Sequence, residues 1–150
     1  MRITEIARLE VHHVLKKSGA RREEILLPAS ITKRCRARCV FLAHPKAIEA
    51  FDRYVEWRYL RSAAAALDRQ DHRGLLPKSR LIVTQKGGPF ELSVKRRINL
   101  DDKCVEYWAA DSLQSYVPLL YRAAGLVAGY SSHSGTQDVR NPVDRKWALP

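Results

Sequence analysis

The sequence predicts an α+β fold that is mainly helical, with a small antiparallel sheet packed beside the helices. Three observations predict it. Residues 46–67 carry Ile48, Phe51, Val55 and Tyr59 close to helical spacing, with charges on the opposite face. From Asp111 a carboxylate is followed three residues on by Gln114, the spacing of a capping box. An apolar stripe of Leu113, Tyr116, Val117, Leu120, Tyr121 and Ala124 follows it. Two short apolar runs, Ile25-Leu26-Leu27 and Cys39-Val40-Phe41-Leu42, flank a cationic segment and so predict a hairpin.

Taken in order, residues 4–15 predict a short helix with Thr4 as its N-cap and Ile6, Leu9 and His13 towards one face. Lys16-Lys17-Ser18-Gly19 ends it with cations and then glycine. The first strand covers 24–30, where Pro28 pushes it towards a sheet edge. Pro45 suits the first turn of the next helix, and Ala63 to Ala66 extend that helix with strong helix formers. Residues 68–74 are a polar loop. Leu81-Ile82-Val83 predicts a strand, Lys86-Gly87-Gly88-Pro89 a turn, and residues 90–94 a return strand. Pro118 should kink the last helix, which Gly125 stops. Residues 136–150 have no periodicity and predict an irregular tail, leaving one domain over 1–135.

A chain of 150 residues is long enough for one sizeable core. Its 45% hydrophobic and 29% charged residues match globular chains and argue against wholesale disorder. It holds no apolar run of membrane-spanning length and no apolar core of a secretory signal near Met1. The expected location is the cytoplasm. The net charge of +11, from 27 Lys and Arg against 16 Asp and Glu, favours a polyanionic partner through counterion release. Three cysteines, an odd number, argue against a disulfide framework and predict buried or partly buried thiols. Cys35 and Cys39 lack a second ligand pair, and His12-His13 point apart, so no metal or other cofactor is expected.

Two stretches carry a resemblance: MRITEIARLEV at the start, and SLQSYVPLLYRAAGLVAGYSSHSG over residues 112–135. In order and spacing they are similar to the catalytic domain of tyrosine recombinases, the phage-integrase family. The intervening ITKRCRARCVFLAHP resembles that family's basic hairpin. The resemblance implies a recombinase-like catalytic domain over 1–135, with double-stranded DNA as partner. It implies attack of a tyrosine hydroxyl on a phosphodiester, with guanidinium groups clamping the oxygens on which charge builds. Position by position, Arg2 matches the first catalytic arginine, Lys33 the hairpin lysine that protonates the leaving hydroxyl, and His133 the histidine of the His-x-x-Arg motif. Lys86, in a second turn, is a rival cation. Arg34, Arg36 and Arg38 alternate along an extended segment and are the expected phosphate neutralisers; on a bare structural reading they keep an edge strand soluble.

The departures are as specific. Thr136 stands where the family has its second arginine, and no tyrosine follows His133. A frame change or truncation after Gly135, with a start at an internal methionine, is the expectation these departures create. The family's C-terminal helices are then missing, which predicts an uncovered core, marginal stability and self-association. The expected function is that of an inactive DNA-binding fragment of an integrase. The alternatives are a non-catalytic accessory DNA-binding protein and an unrelated basic nucleic-acid-binding protein.

Overall fold

The computed structural model describes residues 1–32, 35–63, 65, 68–100, 102–126 and 129–130. The chain divides into two units, Met1–Ala110 and a second beginning at Asp111. In chain order the first unit holds α1 (Ile3–Arg8), α2 (Val11–Val14), β1 (Glu24–Leu27), β2 (Arg38–Phe41), α3 (Pro45–Leu60), β3 (Ser93–Ile98) and β4 (Cys104–Ala109). Single 3-10 turns stand at Ala29–Ile31 and Asp71–Gly74. The strands form two separate antiparallel ribbons, β1–β2 and β3–β4. The fold is α+β as expected, but with two small sheets where one was expected, and irregular backbone rather than helix dominates the first unit.

The expected first helix is two short ones. Arg2, rather than Thr4, is its N-cap, with the Glu5 carboxylate accepting the Arg2 N–H at 2.8 Å. Leu9 and Glu10 are extended between α1 and α2 because their backbone is engaged sideways. Leu81 N–H donates to Leu9 O at 2.7 Å, and Val11 N–H donates to Ser79 O at 3.0 Å. A helical ladder through Leu9 would give up both bonds. Arg80 reinforces the pairing by donating to Arg8 O at 2.8 Å and to Glu10 Oε1 at 3.0 Å.

The β1–β2 hairpin is where the sequence puts it, with Ile25 opposite Val40 and Leu27 opposite Arg38. Ile25 and Leu27 face the core, while Glu24 and Leu26 are exposed. Leu9, Val11, Val14 and Leu15 join them, and Ile31, Val55, Leu75 and Leu81 complete the buried cluster. Every member comes from the first unit.

Helix α3 starts at Pro45, as predicted, but stops at Leu60 rather than reaching residue 67. Ser62 turns left-handed with φ 53°, and the Ala63 carbonyl is drawn back onto the Arg58 guanidinium. Helix propensity in the alanine run is overridden by that bond pair. Arg58 is fully buried. Its Nη1 donates to the carbonyls of Arg80 at 2.8 Å and Leu81 at 2.7 Å. Its Nη2 reaches Ala63 O at 3.1 Å and Ser79 Oγ at 3.3 Å, and its Nε reaches Ala63 O at 3.3 Å. Tyr54 hydroxyl donates to Leu81 O at 3.1 Å and accepts the Val83 N–H at 3.0 Å. Burial lowers the Arg58 pKa from its ordinary value, the cost of a cation held by carbonyl dipoles.

Leu81-Ile82-Val83 is not a strand. The segment makes a single bridge, Val83 to Pro89, across the predicted turn. The strand expected over 90–94 instead begins at Ser93 and pairs with β4 in a ribbon the apolar pattern did not predict. Gly74, at φ 80°, meets a different constraint: a Cβ there would collide with the Tyr59 ring, so only glycine fits. The three cysteines are free and exposed, against expectation. Cys39 shares the solvent face of its hairpin with Leu26, Cys35 sits in a left-handed turn, and Cys104 lies on the exposed second ribbon.

In the second unit α4 (Asp111–Ala123) matches the predicted helix and carries Pro118 within it. Gly125, at φ 81°, donates to Arg122 O, and Leu126 N–H donates to Tyr121 O, each at 3.0 Å, closing the C-terminus as predicted. The tail over 136–150 lies outside the described residues.

Two stability predictions follow from these contacts. Arg58→Ala leaves several buried carbonyls unpaired and should lose about 3 kcal/mol or more in urea unfolding, against about 1 kcal/mol for Tyr54→Phe. The second concerns His13, whose Nδ1 accepts the Glu10 N–H at 3.0 Å. Burial first, then the neighbouring His12, lowers its pKa below 6.5. The unfolded chain therefore binds this proton more readily, so the contribution is complete above about pH 6.5 and fades as pH falls towards the lower folded value. His13→Gln should flatten that acid limb in melts between about pH 5 and 7.

Candidate nucleic-acid interface

The Glu5 carboxylate, only 2% exposed, organises this region. A buried carboxylate needs donors on its oxygens. One is local, the Arg2 N–H at the start of α1, and one comes from far along the chain, the Arg38 guanidinium, which pairs with the same oxygen from the first residue of β2. The first turn of α1 and the basic limb of the hairpin are therefore fastened together. Arg2 itself is exposed at this point.

Thr32 builds the other end of the basic limb. Its hydroxyl accepts the Arg36 N–H at 3.1 Å and directs its proton at a pair of carbonyls, Arg36 at 2.8 Å and Ala29 at 3.1 Å. Cys35 N–H donates to Thr32 O at 3.3 Å, with Cys35 at φ 48°. The side chain of Thr32 is thus spent on the turn. Arg36, directly after it, is exposed.

The candidate residues fall into three groups. Arg2 and Arg38 meet at Glu5, and Arg36 is held through its backbone by Thr32, two residues before Arg38. Arg38 differs from Arg36: it sits opposite the fully buried Leu27 and is committed to Glu5, with its side chain 46% exposed. Lys33, Arg34 and His133 lie outside the described residues. Lys86 belongs elsewhere. It lines an open cavity of about 320 Å³ with Trp57, Arg61, Ser62, Ala63, Gln85 and Gly87, where the Arg61 guanidinium lies 5.4 Å from the Trp57 ring centre.

Sequence reasoning missed Glu5 as the buried partner of Arg2 and Arg38. It was one letter of a spacing, yet an acidic residue flanked by Thr4 and Ile6 in a first turn was the available signal. Among the described residues no group of three His, Cys, Asp or Glu side chains could hold a metal ion. None of their helices is long and apolar enough to cross a membrane. No family model, no curated protein and no solved structure matches the chain.

The two hairpin arginines should separate in stability measurements. Arg38→Ala strands a buried carboxylate and should cost about 2 kcal/mol, moderated because the arginine is partly in water. Arg36→Ala should stay within about 0.5 kcal/mol of wild type. Equal losses in parallel urea titrations would contradict the Glu5 clasp.

Proposed function

We propose that the chain is a DNA-binding module of the tyrosine-recombinase type, using the Arg2–Arg36–Arg38 region against the phosphate backbone. The observation that supports this most is the Glu5 clasp. The N-terminal stretch and the basic hairpin, two of the three segments whose residues resemble that family, are tied by one buried carboxylate, with Arg2 exposed beside it. A net charge of +11 supplies the field that draws a polyanion to such a face.

In this reading Arg2 and Arg36 bind non-bridging phosphate oxygens, and Arg38, anchored by Glu5, presents its remaining donors at the rim of the same face. Lys33 is the group that would protonate a leaving hydroxyl and His133 the one that would assist proton movement. Thr136 lacks the charge that a clamp on the transition state needs. The chain as it stands binds DNA and does not cut it.

Fluorescence anisotropy on a labelled duplex across a salt series tests the binding half. Replacing Arg2 and Arg36 together by Gln should reduce the slope of log affinity against log salt by about 1.8, two phosphate contacts' worth. An unchanged slope removes this face from the DNA. A nicked suicide duplex tests the other half. No covalent adduct is expected after denaturing electrophoresis, and its appearance would overturn the assignment as inactive.

A further inference from the structure

The open cavity beside the end of α3 is walled by two turns. One is the bend after the helix, where Ser62 is left-handed at φ 53° and its N–H donates to Tyr59 O at 2.9 Å. The other covers 84–88 and is closed by Thr84 N–H to Gly88 O at 2.8 Å and Gly87 N–H to Thr84 O at 2.9 Å. They meet at Gly87, whose φ is 85°; a Cβ there would stand 3.3 Å from the Cβ of Ala63. Glycine lets the second turn lie directly on the first. The segment leading into that turn is pinned to α3, because the Tyr54 hydroxyl donates to Leu81 O and accepts the Val83 N–H.

Each turn delivers one cation to the cavity, Arg61 from the first and Lys86 from the second. Both are exposed, and among the described residues neither is paired with a carboxylate. Arg61 is oriented by the aromatic column on α3. Its guanidinium lies 5.4 Å from the Trp57 ring centre, and Trp57 stacks on Tyr54 with ring centres 5.7 Å apart. A third positive charge stands behind the wall. Arg58, fully buried, donates to the carbonyl of Ala63, a lining residue, and its other partners are carbonyls and the Ser79 hydroxyl. No carboxylate offsets it there, and a buried charge is screened by salt much less than an exposed one. The described lining has no acidic side chain either. Three cations around one concavity create a potential that favours an anion.

We propose that this cavity binds the phosphate group of a small organic phosphomonoester, held between Arg61 and Lys86. A guanidinium offers paired N–H donors to two phosphate oxygens, and the Lys86 ammonium adds a point charge. The volume of about 320 Å³ is at the lower end for small-ligand sites and leaves room for an organic part against Trp57 and Ala63. The site shares no residue with the Glu5 clasp and is independent of the DNA-binding reading.

Isothermal titration calorimetry of the full chain with phenyl phosphate tests this, alongside Arg61→Gln/Lys86→Gln, Lys86→Glu and Arg36→Gln. Wild type and Arg36→Gln should bind alike. The cavity pair should bind about tenfold more weakly or worse, the loss expected from removing charge-assisted hydrogen bonds, and Lys86→Glu should abolish binding. Circular dichroism melts of all four should coincide, since the replaced side chains support no core. No binding by wild type overturns the proposal, and so does equal weakening by Arg36→Gln, which would make net charge the cause. The same chains on labelled duplex across salt separate the sources of phosphate. The cavity pair should keep the wild-type salt slope. A slope reduced by about 0.9 per cation, with phenyl phosphate binding unchanged, would assign these cations to a DNA backbone and overturn the small-ligand site. A wild type that binds phenyl phosphate but not duplex leaves this proposal standing while the DNA-binding reading falls.

Discussion

The buried Arg58 guanidinium is the interaction on which the first unit depends. A charge removed from water requires every donor to be occupied, and here no carboxylate does it. The partners are carbonyls of Ala63, Arg80 and Leu81 with the Ser79 hydroxyl. Satisfying them sets where α3 ends and where residues 79–81 run. That segment in turn holds the backbone of Leu9 and Val11 and so breaks the N-terminal helix in two. One cation thus links the irregular middle of the first unit to α3 and to the α1–α2 segment. Arginine suits the position better than lysine, whose three donors on a compact ammonium cannot fan out to carbonyls on two sides.

The parts of the fold that depend on local chemistry were legible in the sequence. Pro45 at the start of α3, the Asp111 start and Gly125 stop of α4, and the β1–β2 hairpin all follow from signals a few residues wide. The parts that failed depend on contacts between distant residues. Alanines at 63–66 carry every local mark of helix, and no local mark announces that Ala63 will be claimed by Arg58. Residues 4–15 have helical spacing, but their pairing partner is seventy residues away. The β3–β4 ribbon was missed for the opposite reason. With neither face buried, its strands lack the apolar alternation by which strands are recognised, and Lys95-Arg96-Arg97 reads as a solvated charge run.

The candidate site was legible to a similar degree. Arg2, Arg36 and Arg38 were named from residue type and order, and the structure ties Arg2 and Arg38 to one carboxylate. What the sequence could not supply was the difference between them, because Arg36 and Arg38 are equivalent in composition and alternation. Only the register, which places Arg38 opposite Leu27 and within reach of Glu5, separates an anchoring arginine from an exposed one. Glu5 closes α1 from its first turn and aligns the basic limb.

The β3–β4 ribbon contributes nothing to the core cluster, and this has a consequence for how the molecule breathes. Opening it exposes little that was not already in water, so its amides should exchange with solvent through local excursions while the residues around Arg58 wait for whole-unit unfolding. Its tip is built from Asn99 and the left-handed Asp102, with Asn99 N–H donating to Lys103 O at 2.9 Å. A loop so isolated is where a foreign peptide could be spliced in with the least disturbance to the rest of the chain.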